Sequence, residues 1–137
     1  MPERRKEKTS NENGIQYGQH HMLMAARVIK AQVPGVSFVC TGLSQFRQFG
    51  PAVGAGGIRD GWFDFAGFGR QVLAYPEFAG NALSGKLPDY DRCCVLCNYC
   101  FRLMDPGFSA TGCVVRDPEP YASFYRECLE NGRLKKG

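Results

Sequence analysis

The sequence predicts an α/β chain whose two strands run parallel and belong to a larger barrel, followed by a loop-rich cysteine segment and a short helix. Three observations predict this. Two short apolar runs, Val36–Thr41 and Trp62–Ala66, begin 26 residues apart, enough for a crossover helix between parallel neighbours. Each run ends in glycine, and helical patterns lie before, between and after them, the rhythm of parallel α/β architecture. Beyond Gly85 the periodicity gives way to prolines at 88, 106, 118 and 120, with the cysteines between them.

The elements follow in order. Met1–Gly18 lacks hydrophobic periodicity, so residues 1–20 are expected to be a disordered lead-in. From His21 onward Met22, Ala25, Ala26, Ile29 and Val33 recur at helical spacing, until Pro34-Gly35 stops the helix. Val36–Thr41 is short, apolar and β-branched, as a buried strand is. A helix is expected from Phe46 to about Ala55, ended by Gly54, Gly56 and Gly57, with Gly50-Pro51 an irregularity inside it. Trp62–Ala66 reads as the second strand, Tyr75–Leu83 as a short helix with proline in its first turn, and Tyr121–Leu129 as a last helix after Asp117-Pro118. Two such strand–helix units cannot close a sheet or cover both its faces. Residues 21–85 are therefore expected to be one part of a barrel, and residues 86–137 a cysteine-rich segment with a terminal helix.

Composition bounds the function. The chain has 137 residues, 44% hydrophobic and 22% charged, ordinary for a single globular domain. No apolar run approaches the roughly 20 residues needed to cross a bilayer, and the polar, charged start has no apolar stretch of a secretory leader. No membrane partner and a cytoplasmic location are the expectations. The net charge of +4 comes largely from the ends, Arg4, Arg5, Lys6 and Lys8 at one and Arg133, Lys135 and Lys136 at the other. Such runs are solvated tails, whereas a nucleic-acid module gathers basic and aromatic residues on one folded face. No nucleic-acid partner is expected.

The seven cysteines carry more information. They are Cys40, Cys93, Cys94, Cys97, Cys100, Cys113 and Cys128; an odd number without an export signal argues against a disulfide framework. Cys94-x2-Cys97-x2-Cys100-x12-Cys113 matches four-cysteine ligation of a [4Fe–4S] cluster. Zinc held by four thiolates stays open, as does simple burial of small apolar residues. Cys93 is an alternative to Cys94 with a poorer spacing to Cys97. A second candidate site lies at the strand ends, where Gly42 follows one strand and Gly69-Arg70 the other. Glycine lets backbone N–H groups approach an anion, and arginine is a forked phosphate donor; a tight turn beside a surface arginine accounts for the same residues. Gly54-Ala-Gly56-Gly57 is not a dinucleotide loop, because no strand directly precedes it. Asp60 and Asp64 lack the pairing that acid–base work needs, and His20-His21 reads as a lead-in to the helix.

The segments Val39-Cys-Thr-Gly-Leu-Ser44, Arg47-Gln-Phe, Gly56-Gly-Ile, Ala66-Gly-Phe-Gly-Arg-Gln71 and Ala74-Tyr-Pro-Glu-Phe78 together resemble the NADH:flavin oxidoreductase (old yellow enzyme) family. The cysteine spacing resembles its iron–sulfur branch, which includes trimethylamine dehydrogenase and 2,4-dienoyl-CoA reductase. The likeness covers about residues 22–128. It implies an FMN-binding TIM (β/α)8 barrel of which this chain holds the last two strands. It also implies FMN phosphate contacts at Gly42, Gly69 and Arg70, and cluster ligands at Cys94, Cys97, Cys100 and Cys113. The cluster would relay single electrons to or from the flavin, with a nicotinamide cofactor and a small-molecule substrate as partners of the intact enzyme. The strands that would carry the remaining flavin and catalytic contacts are not in this sequence, so a second chain supplying them is a further expected partner.

Overall fold

The helical spacing that begins at Met22 belongs to a longer helix, α1 (Asn11–Gln32). The computed structural model describes residues 11–104 and 111–132, with side chains from His20 onward. Residues 11–20, expected in the lead-in, are thus helical, while 1–10 and the basic residues Arg133, Lys135 and Lys136 lie outside the described residues. Apolar spacing marks only the packed turns of a helix; once these are docked, adding polar turns costs little nucleation. The helix stops before Gly35, whose φ of +84° continues no right-handed helix. Leu23 and Ala26 on α1 pack against Cys40, Leu43 and Phe63, the first core cluster.

Two strands follow the expected offset. β1 (Val39–Cys40) pairs in parallel with β2 (Phe65–Ala66), Val39 opposite Phe65 and Cys40 opposite Ala66. Both are shorter than the apolar runs that contain them. Ahead of β1 the Phe38 N–H donates to the Asp64 carboxylate at 2.7 Å, and Lys30 Nζ donates to the same oxygen at 2.6 Å and to Val36 O at 2.8 Å. This side-chain latch reinforces the end of the sheet, where the Asp64 and Phe65 N–H groups also donate to Phe38 O at 2.9 and 3.2 Å. Cys40 is buried, whereas Val39 and Phe65 are 52% and 55% exposed. Paired residues of a parallel ladder face the same side, so one side of this sheet is covered and the other is open.

Between the strands, 3₁₀ turns over Leu43–Phe49, broken at Arg47 (φ 51°, ψ −127°), lead into α2 (Gly50–Arg59). This corrects the helix expected over residues 46–55. Pro51 stands in the first turn of α2, where its missing N–H costs nothing. Gly54, Gly56 and Gly57 lie inside the helix and do not end it. The reason is close packing: a Cβ at Gly54 would meet Ala66 at 2.9 Å, and one at Gly57 would meet Phe63 at 2.2 Å.

After β2 the chain forms α3 (Gly69–Ala74) and α4 (Phe78–Leu83), in place of one helix over 75–83. Pro76 excludes the α region for the residue before it, and Tyr75 is extended at φ −147°, ψ 82°. Tyr75 and Phe78 then pack as a buried aromatic pair, centroids 5.9 Å apart. The cysteine segment holds a 3₁₀ turn at Tyr90–Arg92, the short helix α5 (Tyr99–Arg102) and the longer α6 (Pro118–Glu130). On α6, Tyr125 and Cys128 bury against Leu103. The described chain is a mixed α/β structure, mostly helical, with one two-stranded parallel sheet. Among the described residues no helix is long and apolar enough to cross a membrane.

Candidate metal and phosphate site

The two strand ends lie side by side. Gly67 N–H donates to Cys40 O at 2.8 Å, and a Cβ on Gly67 would touch Thr41 at 2.9 Å. Two residues further on come Gly42 and Gly69, and two further again the Gln71 N–H bonds Ser44 Oγ at 3.3 Å. Gly42 has φ +84°, and a Cβ there would strike the Met22 side chain at 2.4 Å. Its identity is fully explained by the turn and by α1. Gly69 differs: it is exposed and a Cβ would meet nothing within 4 Å, so no contact inside the chain demands glycine. Arg70 is half-buried, and its Nη1 hydrogen-bonds Asn98 Oδ1.

That bond leads into the cysteines. Leu96 (φ 61°) and Asn98 (φ 62°) are left-handed, and they flank Cys97 on either side. Asparagine tolerates this region; leucine is strained there. The bends curl the segment between Cys94 and Cys100. Cys94 and Cys113 are buried together with Ala74, and each sulfur accepts a backbone N–H, from Leu96 at 3.4 Å and from Arg116 at 3.3 Å. Hydrogen bonds of this kind tune thiolate centres. Cys97 and Cys100 are half-buried. Burial pushes the Cys100 thiol above its ordinary pKa, and nearby Cys94 and Cys97 push it further, while the Phe101 N–H and Arg70 pull the other way. Thr111 Oγ1 donates to Cys100 O at 2.6 Å, tying the Cys113 strand of the loop back to it.

The other three cysteines are accounted for by packing. Cys40 sits in the first core cluster and Cys128 in the α6 cluster. Cys93 is fully buried against Tyr75 and Phe78, in a different cluster from Cys94. Its thiol donates to Asp89 O at 3.2 Å. Cys93 is therefore no substitute for Cys94.

As metal donors the four remaining thiols have suitable chemistry and two have the N–H support a thiolate uses. They do not form a closed set: among the described residues no three His, Cys, Asp or Glu groups converge as metal ligands. Sequence reading overlooked Gln71, Ser44, Asn98 and Arg116, which position this region. The signal available was Gln71 itself, a polar residue in the otherwise apolar run Gln71-Val-Leu-Ala74. Asp64, set aside as unpaired, is the anchor of the β1–β2 latch. No protein-family model, curated protein or solved structure matches the chain.

Proposed function

We propose that this chain is part of an FMN-dependent NAD(P)H:flavin oxidoreductase, in which a [4Fe–4S] cluster on Cys94, Cys97, Cys100 and Cys113 relays electrons to or from the flavin. The reading comes from the family resemblance, and the observation that carries it further is the Arg70–Asn98 hydrogen bond. The arginine offered for the flavin phosphate is one contact away from the loop offered for the cluster. Gly69 is exposed, with open space where a side chain would stand. In this reading Arg70 and Gly69 hold the phosphate of FMN, Gly42 shapes the neighbouring turn, and the cysteines supply thiolates. The redox chemistry belongs to the cofactors. A nicotinamide cofactor and a small-molecule substrate complete the reaction. The open side of the sheet, with Val39 and Phe65 outward, favours a second chain bearing further barrel strands.

The test is iron and acid-labile sulfide analysis, with an absorption spectrum, on protein purified without oxygen. Iron and sulfide near about four per chain, lost in Cys97→Ser, and bound FMN lost in Arg70→Ala, are the expected results. Zinc alone would favour a second reading, a non-catalytic four-thiol metal module. Neither metal nor flavin would leave an inactive fragment.

A further inference from the structure

We infer that Gln71 is a positioning residue that selects Cys94, and not its neighbour Cys93, for the four-thiol site. This rests on the proposed reading of that site. Gln71 is 0% exposed, a costly place for an amide unless its polar atoms have partners. Its side-chain Oε1 accepts the backbone N–H of Cys94 at 3.2 Å, and the backbone N–H of Gln71 donates to Ser44 Oγ at 3.3 Å. Because the Cys94 N–H is a donor, the amide must present oxygen to it, which leaves Nε2 turned elsewhere. Nε2 has no hydrogen-bond partner among the described residues.

The surroundings show why one glutamine can separate two adjacent cysteines. α3 contributes Ala74 to the cluster of Cys94 and Cys113, and the next residue, Tyr75, packs with Cys93. Gln71 holds the peptide between the two sulfurs, and its own carbonyl accepts the Tyr75 N–H at 2.9 Å. Arg116 clamps the other side, donating from Nε to Cys93 O at 3.2 Å and from its backbone to the Cys113 sulfur. At Cys93 the backbone is in the polyproline-II region (φ −64°, ψ 152°), where consecutive side chains point about 120° apart, so the Cys93 and Cys94 sulfurs enter different clusters. With the Gln71 bond lost, a buried N–H is orphaned and the alternative register, Cys93 inward, gains ground.

The experiment uses the full chain. Amide exchange is followed by NMR on the metal-free protein, and cobalt(II) is titrated with the thiolate-to-cobalt absorption as readout. In the wild type the Cys94 amide should exchange far more slowly than that of exposed Val95. Gln71→Met, which keeps the length but not the acceptor, should speed Cys94 exchange about tenfold or more. Gln71→Glu, which keeps an acceptor oxygen, should restore it. Cobalt binding should survive Cys93→Ser and fail in Cys94→Ser, with Gln71→Met weakening it about tenfold and Gln71→Glu near wild type. Fast Cys94 exchange in the wild type, or Met and Glu variants that behave alike, overturns the inference; the wild-type measurement decides even if a variant does not fold. No cobalt binding by the wild type would instead refute the four-thiol reading, with the exchange comparison still deciding the role of Gln71.

Discussion

Gly56 and Gly57 are neighbours on α2, and replacing each by alanine should move stability in opposite directions. Both substitutions exchange glycine for a better helix former, a gain of up to about 1 kcal/mol. At Gly56 a Cβ meets nothing within 4 Å, so that gain should appear undiminished. At Gly57 the Cβ would lie 2.2 Å from Cζ and 2.4 Å from Cε1 of Phe63, which is 1% exposed and packed in the first core cluster. Overpacking of this kind costs about 1–3 kcal/mol. The propensity term cancels between the two variants, so their difference isolates the steric one. At roughly 4 °C per kcal/mol for a chain of this size, Gly57→Ala should melt roughly 4–12 °C below Gly56→Ala. Thermal unfolding by far-UV circular dichroism in one buffer, with urea midpoints as a second measure, reads this directly. Equal midpoints, or a more stable Gly57→Ala, would refute the packing of α2 on Phe63. A neutral Gly56→Ala would instead mean that the helix ends before residue 56.

Two further outcomes follow from the latch and from the α6 core. Asp64 has its carboxyl held below the ordinary value by the Lys30 hydrogen bond first and the Phe38 N–H second. A depressed folded-state pKa stabilises above the unfolded pKa and is lost as pH falls through the folded value. Asp64→Asn should therefore lower the melting temperature at neutral pH, and the gap should close below about pH 4; a gap that persists or widens in acid would contradict the latch. Leu103 is 0% exposed against Tyr125 and Cys128, so Leu103→Ala should cost about 2–5 kcal/mol. A denaturant midpoint unchanged from wild type would show that α6 does not pack there.

The parallel pairing was legible because it depends on local signals. Two β-branched and aromatic runs 26 residues apart give the same offset that joins Val39 to Phe65. Proline and glycine likewise announced the end of α1, whereas the last helix begins at Pro118, one turn before the Tyr121 expected from the apolar spacing. The interior glycines of α2 misled because glycine at a helix end and glycine under a close crossing look alike in one dimension. Only the approach of Phe63 and Ala66 distinguishes them. In the sequence Pro76 reads as the first turn of one helix, whereas it marks the break between α3 and α4, and the start of α3 at Gly69 was hidden by the glycines around it.

For the candidate site, sequence by itself determined the residue types and their spacing: four cysteines in one pattern, and a glycine–arginine pair after a strand. Tertiary structure decided which of these meet. It turned Cys93 into an apolar pocket and Cys94 toward Cys113, explained Gly42 by Met22, and joined Arg70 to Asn98 across 28 residues. Those choices are made by packing and hydrogen bonds between segments far apart in the chain. Spacing constrains where a sulfur can go; a buried partner such as Gln71 decides where it does go.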